Sequence, residues 1–302
     1  MKKRVLITGS NGFLGQELTD LLANNKAYEV FATSQSINKN SNKQGYTFQS
    51  IDLKQTPQAR ELLNTIKPHV IINTAAITSV DACELDKKSC DDLNVKLVKT
   101  LAEYAKQENA YILQLSTDFV FDGINGTYQE DSPTAPLNEY GASKLASEAI
   151  LEQANISYSV LRTILIYGVP KSTSRSNILT WAKNMLSEKK NINVVNDQWR
   201  SPTFIKDLAH ACKLAIDRQP QGILHISGDE NLSISEFIYA VADFWELDTS
   251  FITEICAKDL NQDKNRPRKT SFILDKAHRE LDYIPTPLTE SFAIIKQQLN
   301  KA

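Results

Sequence analysis

No stretch of this 302-residue chain is apolar for anything near the roughly 18 residues that a membrane-spanning helix needs. Neither sign of charge dominates, since 34 basic residues face 36 acidic ones. A protein built to coat nucleic acid or an anionic membrane needs a basic excess, so neither partner is expected. A small basic pocket for one phosphorylated ligand is still allowed. The basic start, Lys2-Lys3-Arg4, leads into only three strongly apolar residues, Val5-Leu6-Ile7. A signal-peptide core needs about 7–15, so this start reads as a strand. Cysteine is scarce: Cys83, Cys90, Cys212 and Cys256 form no Cys-x-x-Cys pair, and His69, His210, His225 and His278 are scattered. With no zinc-type spacing, no metal is expected, and Cys83 and Cys90 read as packing residues in a reduced, cytoplasmic protein.

What the sequence does contain is alternation. Residues 4–8, 28–33, 47–50, 70–73, 111–116 and 158–166 are short runs suited to strands. Helical patterns lie between them at 12–24, 57–65, 88–107 and 142–153, the third carrying Leu93, Leu97, Leu101 and Tyr104 on one face. Val70-Ile71-Ile72 is apolar at every position, as befits a strand covered on both sides. Such alternation predicts an α/β fold with a doubly wound parallel sheet, the Rossmann arrangement. After Tyr167-Gly168 the rhythm breaks. Residues 171–177 are polar and loop-like, helices are expected at 178–186, 207–216, 233–245 and 288–299, and strands at 192–195 and 222–227. Ser233 followed by Glu236 is a capping-box pattern. The expected organisation is a dinucleotide-binding unit over 1–167, with segments returning near 203–228, and a smaller substrate-binding α/β unit over 168–302.

Gly9-Ser10-Asn11-Gly12-Phe13-Leu14-Gly15 places three of the chain's ten glycines at Gly-x-x-Gly-x-x-Gly spacing between the first strand and the first helix. Glycine lets the backbone turn tightly and approach a pyrophosphate, and the helix offers unpaired N–H groups and the positive end of its dipole. A dinucleotide is therefore expected on residues 9–15. An acid at the end of the second strand holds the ribose 2′-hydroxyl of NAD. Here that strand ends Thr33-Ser34, with no acid between Glu29 and Asp52. A 2′-phosphate would meet no repulsion, and Lys39 or Lys43 could approach it. NADP(H) is favoured and NAD(H) allowed.

Tyr140-Gly141-Ala142-Ser143-Lys144 is a Tyr-x-x-x-Lys that opens a predicted helix, so both side chains share a face. A second match, Tyr167 with Lys171, is interrupted by Gly168 and Pro170 and lacks that helical turn. An ammonium and a helix N-terminus both favour phenolate, so the Tyr140 pKa is expected below its reference near 10. Carbonyl reduction makes an alkoxide, which needs a proton donor at the oxygen and gains from a second hydroxyl. Ser116-Thr117 end the fifth strand at the carboxyl edge of the sheet, where ligands of such folds bind.

These motifs carry a resemblance. The sequence resembles the extended short-chain dehydrogenase/reductases, and within them the dTDP-4-dehydrorhamnose reductase family. The shared residues run from the glycine turn through Asn73-Thr74-Ala75-Ala76-Ile77-Thr78, Ser116-Thr117-Asp118-Phe119 and Asn138-Glu139-Tyr140-Gly141-Ala142-Ser143-Lys144 to Asn196-Asp197-Gln198, Pro202-Thr203 and Arg266-Pro267. The resemblance implies that Thr117 polarises the substrate carbonyl, Tyr140 donates the proton, and Lys144 tunes Tyr140 while holding the nicotinamide ribose. It also places Ser34, Asp52, Leu53, Ala75 and Ala76 beside the cofactor. For a nucleotide-sugar substrate the candidates are Thr78, Ser116, Asp118 and Phe119 near the chemistry, with Asn177, Arg200 and Arg266 further along. Arginine's planar fork suits a diphosphate; Asn177 could equally serve only as a helix cap.

Relatives that eliminate water carry Thr-Asp-Glu where this chain has Thr117-Asp118-Phe119, so the resemblance implies reduction rather than dehydration. The chain departs from the rhamnose reductases at Phe119, where they usually have an aromatic pair, and at Leu165, where they usually have tryptophan. An aromatic face for the sugar is therefore missing. Two other readings stay open. The fold also resembles the regulatory β subunit of methionine adenosyltransferase, most clearly at Arg162-Thr163-Ile164-Leu165-Ile166-Tyr167-Gly168, and nucleotide-sugar epimerases share it. A homodimer is compatible with the chain.

Overall fold

The structure is a computed structural model that describes residues 2–171 and 177–300. Strands β1 (Lys3–Thr8), β2 (Tyr28–Ser34), β3 (Tyr46–Ser50), β4 (Val70–Asn73) and β5 (Tyr111–Thr117) build the main sheet; β6 (Gly126–Tyr128) leaves it and β7 (Tyr158–Thr163) rejoins it. The short strands β8 (Ile166–Tyr167), β9 (Ile192–Val195), β10 (Trp199–Arg200) and β11 (Thr203–Phe204) follow, and β12 (Gly222–Ile226) closes the sheet. Its order is β12-β7-β5-β4-β1-β2-β3, and every neighbouring pair is parallel. With β13 (Leu232–Ser233), β14 (Ile252–Ile255) and β15 (Lys269–Phe272), a second sheet runs β13-β10-β15-β6, while β14 pairs with β9. This is the doubly wound parallel architecture that the alternation predicts.

Helices α1 (Phe13–Ala23), α2 (Thr56–Ile66), α3 (Val80–Leu85), α4 (Lys87–Asp91), α5 (Leu97–Glu108) and α6 (Glu139–Gln153) accompany the first strands. They are followed by α7 (Ile178–Ser187), α8 (Ile205–Arg218), α9 (Ile234–Phe244), α10 (Asp275–Leu281) and α11 (Leu288–Leu299). Side chains alternate across a strand, which sorts the apolar runs into two cores. Val5, Ile7, Val70, Ile72, Leu113 and Leu161 meet α1 and α8, whereas Leu6, Ile71, Ile112 and Val160 meet α2 and α5. Covered on both faces, these strands are apolar throughout. The sheet order reverses between β1 and β4, and a crevice opens there beyond the carboxyl ends of the strands. Ser233 and Glu236 form the expected capping box on α9.

Three local expectations change. The strand expected over 158–166 is split, because the Thr203 hydroxyl donates to the Ile164 carbonyl and its N–H to the carbonyls of Ile164 and Leu165. The chain bends there, with Leu165 at φ +37°. The helix expected over 88–107 is α4 and α5 joined by a π-helical turn, Asp92–Lys96. Cys83 and Cys90, expected as reduced packing thiols, are joined as a disulfide, their Cα atoms 5.2 Å apart. Asp86 breaks α3 from α4 and caps the latter by accepting from the Ser89 N–H, which folds the two cysteines together. The loop expected at 171–177 lies largely outside the described residues.

Candidate active site

The crevice holds a cleft of about 1010 Å³ that runs from the glycine turn to Arg266. At its first end, Gly9 adopts φ +67°, and a Cβ there would sit 2.7 Å from the Ala75 nitrogen. A Cβ on Gly15 would lie 2.3 Å from the Gly9 carbonyl oxygen. Only glycine closes this turn, and no acid occupies the first turn of α1 to repel an anion. Gly9, Asn11, Gly12, Phe13, Leu14 and Gly15 line the cleft, whereas Ser10 is buried behind it, 3.5 Å from the Ser34 hydroxyl. Ser34 accepts from the Asn11 N–H at 2.9 Å.

The Asn11 side chain arranges the neighbouring loop. Its amide donates to the Ser36 hydroxyl and the Ile37 carbonyl, and its carbonyl accepts from the Lys39 N–H. Ser34, Ser36 and Lys39 thereby line the cleft together, while Lys43 turns to the Asn38 carbonyl. Asp52, Leu53, Ala75, Ala76 and Thr78 line the same wall.

In the middle, Asn138 caps α6 by accepting from the Gly141 N–H, so the helix begins at Glu139 and Tyr140 falls in its first turn. Thr117, at the end of β5, lines the cleft beside Tyr140; its hydroxyl donates to Asp118 at 3.1 Å and accepts from the Phe119 N–H. Lys144 follows one turn below, 3% exposed. The Tyr140 pKa is not lowered as the Tyr-x-x-x-Lys spacing suggested. Burial pushes it up to about 12, with the nearby Thr117 hydroxyl opposing. The same burial pushes Lys144 down to about 8, with the Glu148 carboxylate resisting. Ser116 does not offer a free hydroxyl either: it donates to Glu148, which also accepts two hydrogen bonds from Arg162.

Two residues here escaped the sequence reading. Glu148 is one; Asn94, inside the π-helical turn, is the other. The Asn94 side chain bonds both the N–H and the carbonyl of Ile77 and donates to the Ser143 hydroxyl at 2.9 Å. It ties the loop after β4 to α6. A lone amide among Leu93, Leu97 and Leu101 was the available signal.

At the second end, several expected substrate ligands are occupied by the protein itself. Arg200, 4% exposed, donates to the carbonyls of Trp199, Arg268 and Pro267 and lies 3.5 Å from Asp118. It lines the cleft, but its guanidinium is already engaged by the chain. Asp118 also accepts from the Thr270 hydroxyl; burial raises its pKa against the pull of Arg200 and Thr270. Asn177 caps α7 in a capping box with Thr180 and donates to the Gly168 carbonyl. Arg266 lines the cleft, half-buried, and among the described residues its Nε has no hydrogen-bond partner. Phe119 stands edge-on to Tyr140 at 6.0 Å, with the Arg200 guanidinium 5.8 Å from its ring. No cluster of metal-ligating side chains occurs among the described residues.

Three comparisons bear on this geometry. A family model described as the RmlD substrate binding domain matches residues 2–300. The dTDP-4-dehydrorhamnose reductase of Aggregatibacter actinomycetemcomitans is 35% identical over 247 residues, 80% of this chain and 78% of that one. Methionine adenosyltransferase 2 subunit beta of Xenopus tropicalis is 32% identical over 258 residues, 84% of this chain and 75% of that one. Among solved structures, a Bacillus anthracis dTDP-4-dehydrorhamnose reductase in complex with NADP superimposes with a TM-score of 0.86 at 26% identity, covering 99% of this chain and all of that one.

Proposed function

The chain belongs to the dTDP-4-dehydrorhamnose reductase family of NAD(P)-dependent oxidoreductases, and from that premise we propose that it reduces a 4-keto nucleotide sugar, with Tyr140 as the proton donor. One observation carries this reading: Thr117, Tyr140 and Lys144 converge on the cleft that the glycine turn opens. A dinucleotide fits the turn, whose glycines leave no room for a side chain. Ser34, Ser36 and Lys39 suit a 2′-phosphate, so NADP(H) is the favoured cofactor and NAD(H) is allowed. The cofactor would rest on residues 1–167 and the returning segment near 203–228, the sugar nucleotide on the remainder.

Bound there, the dihydronicotinamide supplies the hydride. The chain supplies the proton and its placement. Thr117 and Tyr140 hold the ketone oxygen between two hydroxyls, and Tyr140 donates as negative charge develops on that oxygen. A phenol that stays protonated far above neutrality is a loaded donor. Lys144, one helical turn away, stabilises the phenolate left behind. Phe119 occupies the place where water-eliminating relatives carry an acid, which supports reduction.

The similarity to the methionine adenosyltransferase subunit favours a second reading, a regulatory protein that binds the dinucleotide without turnover. NADPH oxidation with a panel of 4-keto nucleotide sugars separates the two. Turnover that falls by roughly 10²–10⁴ in Tyr140→Phe, with NADPH affinity unchanged, is expected for the reductase. Tight NADPH binding without turnover on any sugar, together with a co-purifying enzyme, would replace it by the regulatory reading.

A further inference from the structure

We propose that Glu148 is a positioning residue of the site: a single buried carboxylate that keeps Lys144 in its ammonium form and fixes the end of β5. Its catalytic consequence rests on the reductase reading, but its test does not. Tyr140, Lys144 and Glu148 recur at four-residue spacing on α6, so they form one stripe down the helix. Glu148 is 4% exposed, and its two oxygens are fully engaged. One accepts from the Ser116 hydroxyl at 2.5 Å and from Arg162 Nε at 3.1 Å; the other accepts from Arg162 Nη2 at 2.7 Å. Ser116 immediately precedes Thr117. The carboxylate thus joins the stripe carrying the proton donor to the strand carrying its partner hydroxyl.

The charges on β5, β7, β12, α3, α4 and the π-helical turn leave this role to Glu148, and Glu103 on α5 is paired with Arg60. Arg162 on β7 is bound to Glu148 itself and also donates to the Glu130 carbonyl. His225 on β12 lies 3.4 Å from Arg162, and burial with that guanidinium holds its pKa well below the usual imidazole range. Tyr158 on β7 is raised by burial and stays a neutral phenol. Asp118, after β5, is answered by Arg200 and Thr270. On α3, α4 and the π-helical turn, Glu84 and Lys87 meet Glu139 at the exposed start of α6. Lys88, Asp91, Asp92 and Lys96 pair with one another. Burial alone drives Lys144 toward the neutral amine, and Glu148 is the carboxylate that opposes it.

Removing that negative charge must therefore lower the Lys144 midpoint and shrink the ammonium fraction at neutral pH. The direct test is NMR titration of the unliganded protein carrying 13Cε-lysine, with the Lys144 resonance assigned from Lys144→Arg. In the wild-type protein the midpoint is expected near 8. Glu148→Gln keeps the shape and should move it down by about one pH unit or more, whereas Glu148→Asp should leave it near the wild-type value. An unmoved midpoint in folded Glu148→Gln overturns the proposal. Should that variant fail to fold, the double variant Glu148→Gln, Arg162→Met removes both buried charges together; its midpoint should still fall, by less because a neighbouring cation is lost as well, and an unmoved or raised midpoint there overturns the proposal. Failure of both while Glu148→Asp folds makes Glu148 a purely structural residue and overturns the proposal as well. In turnover assays the alkaline limb of kcat should shift in the same direction. A wild-type protein that never turns over would sink the reductase reading while leaving the titration result intact.

Discussion

The two ends of the cleft differ in what their polar groups are left to do. At the glycine turn, the start of α1 and Ser34, Ser36 and Lys39 line the open space, their loop held in place by Asn11. At the far end, Arg200, Asp118 and Asn177 look like ligands in the sequence but are answered by carbonyls, hydroxyls and N–H groups of the chain itself. Arg266 is the exception: among the described residues its buried Nε has no hydrogen-bond partner. A residue's chemistry nominates it for binding; the partners it has already found decide whether it can serve. Buried polar groups are almost always satisfied, so a fully buried arginine is more informative about scaffold than about ligand.

The contrast would break most visibly at Arg200. Arg200→Met leaves the buried Asp118 without its counter-charge and takes the guanidinium away from three carbonyls, so urea unfolding should show a loss of roughly 3–5 kcal/mol, with NADPH affinity unchanged. A raised KM for the nucleotide sugar at undiminished stability would instead return Arg200 to the substrate. A smaller effect sharpens the first end. Lys39→Ala should weaken NADPH binding about tenfold, roughly 1.4 kcal/mol, and barely alter NADH binding, read by nicotinamide fluorescence. Equal loss for both cofactors would remove Lys39 from the 2′-phosphate. The smallest belongs to Asn177. Asn177→Ala should cost about 1 kcal/mol of stability and leave kcat/KM for the sugar unchanged, while Asn177→Asp retains the cap.

The sheet was legible because its signals are local and repeated. Val70-Ile71-Ile72 reads as a strand covered on both faces, and the glycine turn and Tyr140 with Lys144 announce themselves by spacing. The strands of two or three residues, such as Trp199–Arg200 and Gly126–Tyr128, were not legible, since their register comes from distant partners. The Cys83–Cys90 pairing and the π-helical turn at Asn94 likewise depend on where the chain doubles back. The raised Tyr140 pKa depends on burial, which a spacing rule does not contain.

Phe119 stands between the middle of the cleft and its far end, with Tyr140 on one side and Arg200 on the other. Exchanging that ring would therefore disturb the surroundings of both side chains at once, so neither end of the contact can be altered alone.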